Sequence, residues 1–203
     1  MIHRTAAHEA PAGFSGASTL PVLRTVGIVL AGSLFVALCA HVALPLAFTP
    51  VPLSLQPFAV LLLGLLLSPR LAASTLAVYL AEGAAGLPVF APGPTGLSGL
   101  AHLFGPTGGY LLAYPIAVFA IAALWRSSRR TLAWAVLSAA VGDLIVLSVG
   151  ALWLGIFTHA SIGAVLTMSV APFLPGDALK VIVAGALGFE WFRIRRRPAD
   201  PTL

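Results

Sequence analysis

An aspartate and a lysine, Asp177 and Lys180, stand three residues apart inside a stretch, 170–192, that otherwise has the composition of a membrane span. On a helix the i,i+3 spacing puts both side chains on one face, within reach of each other. An ionisable group near the middle of a membrane helix costs roughly 2.5 to 3.5 kcal/mol on insertion scales, so charges there mark a functional site with a partner. A pair that neutralises itself while the lysine snorkels outward lowers the cost but leaves the pair without a purpose. The chemistry on offer is recognition, with an acceptor in the carboxylate and a donor in the ammonium.

Two further acids fall within or at the edge of apolar segments, Glu82 and Asp143. If lipid-exposed, the four charged groups would together cost on the order of 10 kcal/mol, so they are expected to face the bundle interior or a wet cavity. Glu82 and Asp177 fall near outer segment ends, at a depth similar to that of Lys180. Glu82 is read either as a ligand to the same cavity or as a group that solvates a loop entrance. Asp143 lies midway along its segment and is read either as a ligand or as a packing carboxylate bonded to a neighbouring helix. In Thr-Pro-Val-Pro-Leu-Ser-Leu-Gln at 49–56 the prolines force extended backbone before them, and Ser54 and Gln56 add uncharged hydrogen-bonding groups at the same outer level. Tyr79, Tyr110 and Phe90 near that rim are placed to stack a flat ligand or to anchor the interface.

No catalytic constellation accompanies these groups. His3, His8, His41, His102 and His159 lack metal-ligand spacing, and no HExxH or GxSxG motif occurs. The Gly-Pro-Thr-Gly-Gly at 105–109 lacks the Lys-Ser/Thr of a nucleotide loop. The single cysteine, Cys39, excludes a disulfide framework. Polar groups converging from several segments without a reactive set indicate binding or transport, with no catalytic residue, metal or cofactor expected.

The elements that position them follow from composition. The chain has 203 residues, 59% of them hydrophobic and 8% charged, with a mean hydropathy of +1.02. A soluble domain carries about 25% charged residues, so the expected class is an all-α integral membrane protein. Six apolar segments, roughly 22–44, 56–68, 70–86, 108–125, 132–156 and 173–192, are bounded by Pro, Gly or Arg. The second and third are short for a span, as helices broken at substrate sites often are. Residues 1–20, rich in Ala, Gly, Ser and Pro, read as a flexible cytoplasmic tail, 21–193 as the membrane domain and 194–203 as a basic cytoplasmic tail. The run after Arg24 exceeds the 7–15 residues of a signal-peptide core and is read as a retained helix.

With the amino terminus inside, every arginine from Arg4 to Arg197 falls on the cytoplasmic side, the partition the positive-inside rule predicts for six spans of a cell-membrane protein. This topology accounts for the formal charge of +5 without nucleic acid. The loop at 87–107 is long, uncharged and rich in Gly and Pro, and is read as a lid over an outward-facing pocket, or as a re-entrant plug. Within it Gly-Pro-Thr-Gly occurs at 93–96 and again at 105–108.

Four motifs in order, the one at 49–56, Gly-Ala-Ala-Gly-Leu-Pro-Val-Phe-Ala at 83–91, Gly-Pro-Thr-Gly-Gly-Tyr at 105–110 and Pro-Gly-Asp-Ala-Leu-Lys at 175–180, make the chain resemble the BioY family of biotin transporters. These are substrate-capture subunits of energy-coupling factor transporters. The resemblance spans roughly 25–190 and implies a six-helix bundle with an outward pocket capped by loops. It further implies that Asp177 and Lys180 are the binding pair, with Glu82 and Gln56 as candidate partners of the biotin ureido ring. Lys180 is left to meet either the ureido oxygen or the carboxylate. Partners implied are a transmembrane coupling protein and a pair of cytoplasmic ATPases, docked through small residues on the first segment, here Gly27, Ala31, Ser33 and Ala37. Some members of the family act without that machinery. The competing readings are a capture subunit for another vitamin and a membrane scaffold or small membrane enzyme whose buried charges are structural.

Overall fold

A computed structural model describes residues 19–93 and 96–196. The chain forms α1 (Thr19–His41), a two-stranded hairpin β1 (Ala43–Leu44) and β2 (Leu53–Ser54), then α2 (Gln56–Leu66) and α3 (Pro69–Ala84). After the long loop come α4 (Leu100–Leu103), α5 (Gly108–Ser127), α6 (Leu132–Thr158), α7 (Ile162–Ser169) and α8 (Leu174–Arg196). The tail expected at 1–20 lies outside the described residues except for its last two positions, which already belong to α1. The basic tail expected from 194 instead begins as a continuation of α8 through Arg196, and Arg197 lies outside the described residues.

Local chemistry explains most of the boundaries. Prolines open α2 and α3, where the missing N–H has no helical partner to lose. Thr131 caps α6 by accepting from the Trp134 N–H, and Ser161 caps α7 by accepting from the Ala164 N–H. His159 ends α6 in the left-handed region, with φ of 53°. Pro45 stands four residues past the end of α1, and the chain turns back as a hairpin with Ala43 opposite Ser54 and Leu44 opposite Leu53. Pro115 lies inside α5, so the Leu111 carbonyl lacks its usual helical donor.

Among the described residues three helices, α1, α5 and α6, are long and apolar enough to cross a membrane, and α7 with α8 forms a fourth candidate crossing bent by 51°. At ~1.5 Å per residue α2 is about 16 Å long and α3 about 24 Å, both short of the ~30 Å hydrocarbon core. The six expected segments thus appear as helices, but two of them do not reach across by themselves. Neither α7 nor α4 was expected. α4 is a single turn inside the Gly- and Pro-rich loop, and α7 is an apolar helix of only eight residues, too short to stand out as a span.

Around this frame the outer surface is apolar. Leu30, Leu34 and Leu38 on α1, Ile116 on α5, Leu144 and Leu152 on α6 and Leu179 and Ile182 on α8 are all exposed. So much exposed aliphatic surface on several helices is a lipid-facing skin. Two buried clusters fill the interior. One, including Tyr79, Phe90, Tyr110 and Tyr114, lies toward the starts of α2, α5 and α8; the other, including Leu61, Ile121, Trp125 and Ala184, lies toward the far ends of α2 and α5. The α5–α6 interface is the most extensive helix pairing. It depends on glycine, since a Cβ on Gly150 would stand 2.2 Å from the Tyr110 ring and one on Gly142 2.2 Å from Ile121.

Candidate ligand-binding site

A cavity of about 60 Å³ opens among the starts of α2, α5 and α8 and the middle of α6, several times the space that one water requires. Gln56, Tyr110, Asp143, Asp177 and Lys180 all line it. The sequence motifs do the positioning. The Pro-Val-Pro turn supplies Pro50, Val51 and Pro52 to the wall, and β-pairing of Ser54 fixes the entry angle of α2, so Gln56 faces inward. Thr49 Oγ1 holds the turn by accepting from the Val51 N–H at 3.2 Å. On the opposite side the chain leaves α7 through a tight turn, and the Asp177 N–H donates to the Phe173 carbonyl at 2.8 Å.

Asp177 and Lys180 form the expected pair, Nζ to Oδ1 2.9 Å, with side chains only 6% and 11% exposed. A buried pair of this kind holds only while its other hydrogen-bonding positions are satisfied, and the cavity is where the remaining lysine protons and carboxylate lone pairs are open to a ligand. Asp143 is buried and lines the same cavity from α6. The Lys180 charge is already balanced by Asp177 within the cavity.

Gln56 is oriented by a partner that does not itself line the cavity. Its Nε2 donates to Tyr79 Oη at 2.8 Å, and the Tyr79 hydroxyl donates in turn to the Val89 carbonyl at 2.8 Å. That relay fixes which end of the amide faces away from the cavity and leaves the Gln56 carbonyl oxygen to accept. Tyr110 is held similarly, donating to the Ser169 carbonyl at 3.0 Å across α5 and α7.

Two expected site residues lie elsewhere. Glu82 does not line the cavity; it accepts a hydrogen bond from the Ser33 hydroxyl, tying α3 to α1. It stands near the end of α3, but its side chain points around the helix toward α1, and position along a helix says nothing about azimuth. Phe90 is buried behind the wall, edge-on to Tyr79 at 5.5 Å and tilted against His102 at 5.0 Å. The four small residues of α1 do not share one face either. Gly27 and Ala31 are exposed, whereas Ser33 and Ala37 are buried inside the bundle. At 3.6 residues per turn, positions 33 and 37 are turned by about 120° around the helix from 27 and 31.

The sequence reading missed His102, Thr107 and Tyr114 as lining residues. Tyr114 was findable, because it stands one turn from Tyr110. His102 and Thr107 come from the loop at 87–107, which also contributes Ala91 and Gly93 to the wall; Pro94 and Thr95 of its first Gly-Pro-Thr-Gly lie outside the described residues. His102 Nδ1 lies 3.0 Å from the Leu97 carbonyl, so it is the donor nitrogen.

A lipid-skinned helical bundle with a small, charge-lined cavity at one end defines a membrane protein built to hold a small polar molecule. The chain belongs to the BioY family, whose sequence pattern matches residues 9–197. It is 41% identical over 154 residues to the probable biotin transporter BioY of Pyrococcus horikoshii, covering 75% of this chain and 88% of that one. It is 32% identical over 151 residues to the biotin transporter BioY of Thermotoga maritima, covering 74% and 85%. The fold matches the crystal structure of the S-component for biotin from an ECF-type ABC transporter with a TM-score of 0.77, at 25% identity over 91% of this chain and 97% of that one.

Proposed function

We propose that this protein captures biotin and carries it across the cell membrane as the substrate-binding subunit of an energy-coupling factor transporter. It is a transport protein, and ATP hydrolysis belongs to separate cytoplasmic subunits joined through a transmembrane coupling protein. The observation that carries the reading is the convergence of Asp177, Lys180, Asp143 and Gln56 on one cavity in a chain of the BioY family.

Biotin's ureido ring offers two N–H donors and one carbonyl acceptor, and its chain ends in a carboxylate. A cavity whose one ammonium is already paired with a carboxylate, and which adds the Asp143 carboxyl, suits the neutral, donor-rich ring better than the anion. The ring therefore sits against Asp177, Asp143 and Lys180, with the lysine donating to the ureido oxygen and the Gln56 carbonyl accepting at the side. Tyr110, Tyr114 and Leu111 provide the flat and apolar walls. The loop at 87–107 acts as the lid, since four of its residues already form part of the wall. We read α1, α2, α3, α5, α6 and the bent α7–α8 as six crossings, the short α2 and α3 being completed by the segments that enter and leave them. Both termini lie in the cytoplasm, at the end where the arginines gather.

Mass spectrometry of ligand released from the purified protein is expected to find biotin; another vitamin there would redirect the assignment. Biotin methyl ester should compete nearly as well as biotin, whereas an analogue alkylated on the ureido nitrogen should compete poorly, because a site built for N–H donors rejects ligands lacking them. The opposite order would place the carboxylate, not the ring, against Lys180.

A further inference from the structure

At the end of the bundle far from the cavity, the turn between α5 and α6 meets the last turns of α8. Trp125, 1% exposed, packs edge-on to Phe192 with ring centroids 5.6 Å apart. The Arg130 guanidinium stands 5.1 Å from each of those rings, and that of Arg196 stands 4.6 Å from Phe192. One phenyl ring thus holds two guanidinium groups no more than roughly 10 Å apart, about a Debye length at 0.1 M salt. Arg126 is close as well, its carbonyl accepting from Arg130 Nη2 at 3.5 Å.

Among the described residues no acid is paired with these three charges. The one carboxylate at this end among the described residues, Glu190, is bonded to Arg193 at 2.7 Å. The Arg130 guanidinium is held below its ordinary value first by partial burial and then by the like charges of Arg126 and Arg196. Its backbone, with φ of 56°, occupies a region that arginine seldom adopts, and its N–H donates to Ser128 Oγ at 3.2 Å to keep it there. A tail that only needed positive charge for topology would require neither the aromatic cradle nor the left-handed residue. The cluster also borders lipid, because Trp191 and Ile194 on α8 are exposed beside it. An anion with several acceptor oxygens, presented at a bilayer surface above an acyl chain, matches that setting.

We infer that Arg126, Arg130 and Arg196 form a binding site for the phosphodiester headgroup of an anionic phospholipid. The site stands apart from the biotin cavity, so biotin binding serves as the folding control. Purified protein in a neutral detergent should bind phosphatidylglycerol in preference to phosphatidylcholine, read by native mass spectrometry and by the rise in melting temperature. Arg130→Gln with Arg196→Gln should weaken that preference by roughly fivefold per arginine removed and leave biotin affinity unchanged. Arg24→Gln with Arg70→Gln, at the same end but outside the cradle, should leave the preference intact. An equal loss from both double variants would mean diffuse charge and would overturn the site. Equal binding of the two lipids, or full reproduction of the effect by inorganic phosphate, would overturn the lipid assignment. A cluster that served only an acidic protein would likewise show no lipid preference.

Discussion

Asp177 and Lys180 take their importance from burial as much as from charge. Removing one partner of a buried pair leaves the other desolvated and alone, which is worse than never having had the pair. Asp177→Asn should therefore weaken biotin binding by roughly one to two orders of magnitude, and Lys180→Ala should do the same. Calorimetry on the purified variants checks both, and unchanged affinity in both would remove the pair from the site. Tyr79 is a subtler case, because it does not line the cavity yet bonds the amide that does. Tyr79→Phe should leave Gln56 Nε2 and the Val89 carbonyl without their partner. A loss of roughly tenfold in affinity is expected, the equivalent of about 1.4 kcal/mol. If Tyr79 acts through Gln56, adding Tyr79→Phe to a Gln56→Ala variant should cost little more, a non-additivity that a purely structural role would not produce.

Among the elements, α5 and α6 do most to shape the cavity, one supplying Tyr110, Leu111 and Tyr114 and the other Asp143, Val146 and Leu147. Their approach is set by small residues, as is general where lipid gives helices no hydrophobic reason to associate. Gly150→Ala tests this at one atom. The added methyl would meet the Tyr110 ring at 2.2 Å and must displace it. Overpacking of this kind typically costs about 1 to 3 kcal/mol, and here the displaced ring belongs to the site, so biotin affinity should fall together with melting temperature. Gly27→Ala is the matching control: nothing stands within 4 Å of its would-be Cβ, and neither quantity should change in the isolated protein.

At the scale of the whole molecule, the cavity opens at one end and the arginines collect at the other, so the bundle is electrically polar along its axis. That polarity makes a topological prediction. Cys39 is the only cysteine and is buried, so a single reporter can be introduced after Cys39→Ala. With Ser98→Cys a membrane-impermeant thiol reagent should label intact cells, and with Ser128→Cys it should label only after permeabilisation. The reverse pattern would invert the molecule in the membrane. Excess biotin should also raise the melting temperature of the wild-type protein, because a ligand that binds only the folded state stabilises it. No rise would favour a scaffold with structural charges.

How much of this was legible in the sequence depends on whether a property is local. Apolar length, proline and glycine punctuation and the cost of an intramembrane charge act along a single segment. The helical class, the six segments and the i,i+3 pair at 177 and 180 could therefore be read before any fold was known. The Pro-Val-Pro turn and the place of Gln56 at the start of α2 were legible for the same reason. Azimuth was not. Whether Glu82 faces the cavity or Ser33, whether Asp143 reaches it from the middle of α6, and which small residues of α1 turn outward depend on how each helix is rotated against its neighbours. That rotation is set by side chains remote in sequence, such as Tyr110 against Gly150 and Ile121 against Gly142. A residue's place along one helix follows from residue count and is written in the sequence, whereas which charged groups meet depends on contacts between helices and was decided only by tertiary packing.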